Sequence, residues 1–323
     1  MIGALDIGGT KIAAGMVDAQ GRVLACTEGL TQAEKCFADS LRQMVGMLRQ
    51  TASQAGGTLE GIGIGCTGPV YPETGLLGDV EFMPGWEGAN LVQELVQVFG
   101  VPAAIENDAD AAALGEWAWG AGRGAQTFML VTVGTGIGAG LIIGGRLYRG
   151  VNGAHPEIGH HIIDPSGPLC FCGGRGCWES LASGPALEHW MQVNDPPIGD
   201  AKRDPQTRGA KRDFSGGWTS ARQVCQAAQA GHPLAQAAVQ RTATYLGLGL
   251  ANLVTLFTPE VIALGGGLMQ SLPLFMPTIQ QTIRTTCGLV PHEQVRVIPA
   301  ELGARSGLVG AARVWYNRFT PSM

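Results

Sequence analysis

The sequence predicts an α/β protein whose two similar lobes face each other across a cleft. Strand-like and helix-like segments alternate along most of the chain, the signature of mixed α/β packing. A pattern of strand, Gly-rich turn and strand opens the chain at residues 2–18 and returns at residues 127–150 without residue-level identity. The length, 323 residues, suits about two domains.

Taken in order, "IGALDIGGTKIAAGMVD" reads as two apolar strands around a Gly-Gly turn, and "GRVLACTEG" as a third. From Ala33 to Gln50, Phe37, Leu41, Met44, Val45 and Leu48 recur at helical spacing. "LEGIGIGCTGPV" is a buried strand entering a turn, and "ANLVQELVQVFG" an amphipathic helix closed by Gly100. "VPAAIENDADAAALGEWAWG" is a strand that ends at an acidic cluster and runs on into a helix. "TFMLVTVGTGIGAGLIIGGRLYRG" restarts the opening pattern. "LANLVTLFTPEVIALGGG" gives a helix, a strand and another Gly-rich turn, and "GARSGLVGAARVWYNRF" a terminal helix. Residues 194–217 are rich in Pro, Gly and balanced charge and read as a solvated surface excursion; the final "TPSM" reads as a frayed end.

Apolar residues make up 45% of the chain, enough for sizeable cores, while the net charge of −5 argues against a broad nucleic-acid footprint. No apolar run approaches the ~20 residues of a membrane span, and "MIGALDIGG" lacks the pattern of a signal peptide. The expected home is the reducing cytoplasm, where clustered cysteines more often hold metal than form disulfides.

Three Gly-rich turns stand out: Asp6 to Lys11, Gly134 to Gly140, and Ala263 to Gly267. Glycine lets backbone N–H groups approach an anion, and successive N–H groups form a phosphate nest. Thr10 and Thr135 add hydroxyl donors, Lys11 a counter-charge, and Asp6 a carboxylate placed to hold Mg²⁺ through water. Each turn alone is equally a tight hairpin; together they point to a phosphate clamp. The P-loop pattern is missing. Gly134, Gly136 and Ala139 fit the dinucleotide fingerprint, but a strand follows where that motif needs a helix, so a nicotinamide cofactor is not expected.

"IENDAD" carries Glu106, Asp108 and Asp110 at a strand end leading into a helix, a rigid mount for the carboxylate that takes a proton from a hydroxyl. The same stretch also reads as a helix N-cap at Asn107 or Asp108. "LCFCGGRGCWE" places Cys170, Cys172 and Cys177 within eight residues, a spacing unlike a paired CxxC ribbon. Zn²⁺ with a fourth ligand from His160 or His161 is the favoured reading over redox chemistry. Cys26, Cys36, Cys66, Cys225 and Cys287 are scattered and read as small buried apolar residues.

"DIGGTK", "MPGW", "ENDADAA", "TVGTGIGAGL", "EIGHH", "CFCGGRGCWES" and "ALGGG" occur in that order over nearly the whole chain. On these motifs the chain resembles the bacterial ROK-family sugar kinases of the actin-like ATPase superfamily. The resemblance implies two actin-like (ribonuclease H-like) lobes around a central cleft with a small zinc-bound loop. It places residues 1–117 with 302–323 in one lobe and 118–301, carrying the zinc loop 160–177, in the other. It implies transfer of the ATP γ-phosphate to a hexose hydroxyl, and a homodimer. Asp108 matches the catalytic base. Gly68, Asn107, Asp108, Glu157, His160 and Glu179 match substrate-binding positions. Asp6, Gly8, Gly9, Thr10 and Lys11 match the first phosphate motif, Gly134, Thr135 and Gly136 the second, and Gly265 with Gly266 the adenosine side. His160, Cys170, Cys172 and Cys177 match the ligands of a structural Zn²⁺ that aims His160 and Glu179 at the sugar, and His161 falls outside the motif. The implied cofactors are ATP, Mg²⁺ and Zn²⁺.

The chain departs from the family pattern at four places. Asp110 stands where Asn is common, Phe82 where Asn is usual before "MPGW", Thr67 where many members have Pro, and His155 with Pro156 where small residues are common. These bear on the sugar more than on the chemistry. Glucose is the first expectation, then N-acetylmannosamine or N-acetylglucosamine, with fructose and allose behind. A ROK-type transcriptional repressor would carry a helix-turn-helix domain ahead of Asp6, where the sequence leaves no room for it. A sugar sensor without catalysis is disfavoured by Asp108 and the phosphate motifs.

Overall fold

The computed structural model describes residues 1–31, 36–79, 83–195 and 218–320. Phe82, the surface excursion at residues 196–217 and the terminal residues 321–323 lie outside the described residues.

The first half contains β1 (Ile2–Ile7), β2 (Lys11–Val17), β3 (Val23–Leu30), α1 (Phe37–Ala55), β4 (Gly61–Cys66), the small hairpin β5 (Val70–Tyr71) and β6 (Leu76–Leu77), α2 (Leu91–Phe99), β7 (Ala103–Asn107) and α3 (Asp108–Trp119). Its sheet has the order β3-β2-β1-β4-β7. β1 to β3 are antiparallel, while β1, β4 and β7 run parallel, with Asp6 opposite Gly65 and Gly65 opposite Glu106. Buried on both faces, β1 and β4 are nearly unbroken apolar or Gly runs, whereas the edge strand β3 alternates more and less exposed positions.

The second half repeats the plan with β8 (Phe128–Val133), β9 (Ile137–Ile143), β10 (Arg146–Leu147), α4 (Trp178–Ala182), α5 (Gly184–Asn194), α6 (Ala221–Gln229), α7 (Pro233–Phe257), β11 (Val261–Gly265), α8 (Leu272–Thr286), β12 (Arg296–Pro299) and α9 (Ser306–Phe319). The sheet order β10-β9-β8-β11-β12 mirrors the first: an antiparallel hairpin, then parallel neighbours. The expected duplication is therefore present.

Helix ends follow local chemistry. The Asn90 side chain accepts from Gln93 N at 2.9 Å to start α2, and Gly100 ends it in the left-handed conformation. The helix anticipated from Ala33 starts, as described, at Phe37 and runs to Ala55. The helix anticipated from Leu250 begins at Pro233, and α4, α5, α6 and α8 were not anticipated. Twelve residues of α7 are buried, spread over more than one face, which hides its period.

α3 and α9 cross where both have glycine. A Cβ at Gly310 would lie 2.0 Å from the Ala111 carbonyl oxygen, so the two backbones touch directly. α9 also packs on β4, and α3 packs on β9 of the second sheet, where a Cβ at Gly140 would lie 2.4 Å from Ala113 Cβ. The helix α3 thus joins the two sheets and carries the acidic cluster at its start. No described helix is long and apolar enough to cross a membrane.

Candidate active site

Parallel strands offer ligands their carboxyl ends. At those ends of β1, β4 and β7 stand Asp6, the turn containing Gly68, and Asn107 with Asp108. Gly68 has φ +89°, a left-handed geometry that glycine adopts without strain. The Asn107 side chain accepts from Ala109 N at 2.9 Å and Asp110 N at 3.3 Å, so it is the cap of α3. Asp108 Oδ1 accepts from Ala109 N at 2.8 Å.

The charge of Asp108 reaches Asp6. Burial pushes the Asp6 carboxyl up to about 6, with the Asp108 charge adding to the rise and Lys11 opposing it. Burial also raises Asp108 above the usual carboxylate range, against the Ala109 N–H bond and the charge of His155. A neighbouring pair of desolvated carboxylates is a donor set suited to a hard divalent cation. α9 begins here as well, since a Cβ at Gly307 would lie 2.2 Å from Asp6 Oδ2.

The first Gly-rich turn is the β1–β2 hairpin: Gly8 N donates to Lys11 O, Thr31 Oγ1 donates to Gly8 O at 2.6 Å, and Thr31 N donates to Thr10 O. Gly9 and Thr10 form its bend. Lys11 Nζ is on the surface, paired with Glu28 at 2.8 Å. The second is the β8–β9 hairpin, with Thr135 exposed and Gly134 O accepting from Gly184 N. The third follows parallel strand β11. Gly266, at φ +90°, sits so close to Val133 that a Cβ would lie 2.5 Å from its carbonyl oxygen, which puts the second and third turns side by side. Hairpin geometry and a phosphate nest are compatible, and two of the three turns are hairpins.

The cysteine loop closes on the same region. The ligand atoms of His160, Cys170, Cys172 and Cys177 all lie within 4.8 Å of one another. Cys172 and Cys177 Sγ are 3.6 Å apart, and Cys170 Sγ is 3.5 Å from His160 Nδ1. Tetrahedral Zn²⁺ with Zn–S of about 2.3 Å needs sulfurs about 3.7 Å apart, so three thiols and one imidazole fit it. His161 is excluded from the group: its Nδ1 faces Ile158 O at 2.6 Å and its ring stacks edge-on against Trp178.

His160 turns its other nitrogen, Nε2, to Glu179 Oε1 at 4.0 Å. Glu179 Oε2 accepts from Ile137 N at 2.8 Å, and a Cβ at Gly136 would lie 2.3 Å from that oxygen. A chain of contacts therefore runs from the cysteine loop through His160 and Glu179 to the second Gly-rich turn. Glu157, just ahead of His160, is exposed.

Behind Asp108 the structure adds residues that the sequence did not single out together. Arg149 bonds both Glu106 and Asp110, and His155 Nδ1 lies 2.8 Å from Asp110 Oδ2. Arg149 carries no motif signal. His155 and Asp110 were each visible as departures, 45 residues apart, with nothing in sequence to pair them.

The chain matches the ROK family model over residues 2–318. It belongs to the ROK family. The chain is 35% identical over 314 residues to a glucokinase of Streptomyces coelicolor, 95% of each chain being covered. The crystal structure of a ROK hexokinase from Thermus thermophilus, 32% identical, superposes with a TM-score of 0.80 over 99% of both chains. A ROK family glucokinase from Streptomyces griseus in complex with glucose and AMPPNP is 34% identical, with a TM-score of 0.78, covering 96% of this ROK chain and 97% of its own. These similarities support a sugar kinase of the actin-like ATPase superfamily. Xylose repressors are also relatives, and this ROK protein spans 56% of the length of the one from Bacillus subtilis.

Proposed function

We propose that this ROK protein is an ATP-dependent sugar kinase that phosphorylates a hexose hydroxyl, with glucose as first substrate and glucose 6-phosphate as product. The observation that carries the reading is Asp108, a desolvated carboxylate at the start of α3 whose proton affinity burial raises and whose charge reaches Asp6 at the neighbouring strand end. A carboxylate whose proton affinity is raised toward the working pH is a better general base.

In this reading Asp108 takes the proton of the attacking hydroxyl. Asn107, Gly68, Glu157, His160 and Glu179 orient the sugar, and Asn107 does so while capping the helix that carries Asp108. Gly8, Gly9, Thr10 and Lys11 with Gly134, Thr135 and Gly136 would hold the phosphates of ATP, Gly265 and Gly266 its adenosine side, and Asp6 would hold Mg²⁺ through water. Bound ATP with Mg²⁺ supplies the phosphoryl group and neutralises its charge. His160, Cys170, Cys172 and Cys177 would hold Zn²⁺, whose role with four protein ligands would be structural, keeping His160 and Glu179 in place. The lobes, residues 1–117 with 302–323 and residues 118–301, would close on the sugar and exclude water. The proposed setting is a cytoplasmic homodimer.

The test is a coupled ADP-release assay with ATP and Mg²⁺ over glucose, N-acetylmannosamine, N-acetylglucosamine, fructose, mannose and allose. The highest kcat/KM on glucose supports the full reading. A different preferred sugar keeps the kinase and removes glucose. No turnover on any of the six by folded, zinc-loaded protein points to a sugar outside the panel or to a sugar sensor.

A further inference from the structure

A cavity of about 510 Å³ opens between the outer edges of the two sheets, walled by β7, the β9–β10 turn and α9. Its size is that of a site for a small metabolite. Four arginines line it, Arg146, Arg149, Arg313 and Arg318, against two carboxylates, Glu73 and Glu106. The carboxylates are already engaged. Arg318 forms a forked pair with Glu73 at 3.0 and 2.9 Å, and Arg149 is bonded to Glu106 and Asp110. Two guanidinium groups remain without a carboxylate among the described residues, Arg146 and Arg313.

Arg313 is the unusual one. Only 6% of it is exposed, and its shielded Nε has no hydrogen-bond partner among the described residues. It lies 6.0 Å from the ring of Trp117 and 5.6 Å from that of Trp119, which offsets part of the cost of burying the charge; of its nitrogens only Nε is shielded and unbonded, while the residue lines the cavity. Buried arginine is almost always paired, because an unpaired buried charge is strongly unfavourable. Arg146 and Arg313 thus line one cavity without a carboxylate partner among the described residues, and guanidinium groups so placed are the side chains that recognise a phosphoryl group.

We propose that this cavity is a second anion site of the protein, separate from the Gly-rich turns, which takes the phosphoryl group of a small phosphorylated molecule or free phosphate between Arg146 and Arg313. The wall is shared with the candidate active site, since Arg149 bonds Asp110, two residues after Asp108. The site stands whether or not the chain is a kinase.

The test is calorimetric titration of the full chain, in phosphate- and sulfate-free buffer, with inorganic phosphate and separately with glycerol 3-phosphate. One equivalent should bind, and Arg146→Ala, at an exposed position that does not threaten the fold, should weaken binding about tenfold or more. Arg313→Met keeps an unbranched apolar stem near the two indole rings and removes the guanidinium. It should weaken binding at least as much while raising the Tm of the ligand-free protein. Tighter binding of glycerol 3-phosphate than of phosphate assigns a phosphorylated metabolite; equal binding assigns free phosphate. No binding by the wild type, or binding that both substitutions leave unchanged, overturns the proposal. So does a lowered Tm of Arg313→Met with phosphate binding intact, which makes Arg313 a packing residue.

Discussion

Asp110 Oδ2 and His155 Nδ1 lie 2.8 Å apart, and the Asp110 side chain is fully shielded from solvent. Two departures from the family pattern are therefore one interaction: an acid on α3 holding an imidazole on the loop that leads to Glu157 and His160. Arg149 completes the group on the acid. Burial by itself would lower the His155 imidazole, but the Asp110 hydrogen bond and charge, with Glu157 and Asp108 beyond, raise it above its ordinary 6.5.

That raised value has a definite consequence for stability. A group that binds its proton more tightly when folded stabilises fully below its unfolded pKa, and the stabilisation is lost as pH rises through the folded value. The Tm gap between wild type and His155→Gln should be widest at or below pH 6.5 and shrink above it. At the acidic end the loss should be roughly 1.5–3 kcal/mol, as for a hydrogen bond to a charged group. Thermal melts at pH 6 and pH 9 check this; equal gaps at the two pH values contradict it.

Asp108→Asn should retain the fold, because an amide oxygen can still accept from Ala109 N and a buried carboxylate has been removed. Its kcat should fall roughly 10²–10⁴-fold if Asp108 is the general base. Melting and steady-state turnover measured on the same preparation decide the matter, and turnover like that of wild type removes the assignment.

Cys172 is exposed, so its thiol contributes little to core packing. Any large effect of Cys172→Ser must then come through the cluster with His160, Cys170 and Cys177. We expect loss of one equivalent of bound zinc, a fall in Tm of roughly 5 °C or more, and weaker sugar binding. Metal analysis by mass spectrometry beside a melt is the check. Unchanged zinc and unchanged Tm would count against a metal site.

Gly136→Ala places a methyl group 2.3 Å from Glu179 Oε2 and must displace the carboxylate from Ile137 N. The expected cost is about 1–3 kcal/mol of stability. If Glu179 positions the sugar, the sugar KM should rise about tenfold, the size of one lost hydrogen bond to a charged group. Kinetics with sugar and ATP varied in turn separate the two: a change in the ATP KM alone would place the effect on the phosphate turn instead.

Much of this was legible in residue order. The strands around "DIGGTK" and "TVGTGIGAG", the duplication of the two halves and the strand-to-helix step at "IENDAD" follow from local periodicity and Gly placement, which neighbours in sequence determine. The three cysteines were legible as a metal nest because their spacing keeps all three on one short loop. Less was legible in the helices of the second half. α7 is buried over more than one face and so lacks a single apolar stripe, and its length emerges only from packing.

By itself, then, the sequence determined the α/β plan, the acidic residue at the head of α3 and the composition of the cysteine cluster, because each depends on residues close together in the chain. Tertiary structure decided which of two adjacent histidines turns toward the thiols, since His161 is taken up by Ile158 O and Trp178. It also decided that Asp110 meets His155 and Arg149, and that Arg313 is buried on a cavity wall with no carboxylate paired to it among the described residues. The Asp110 contacts join residues 39 and 45 apart in the chain. Charge and hydrogen bonding act over a few ångströms in space, and only the folded chain sets which groups come within that reach.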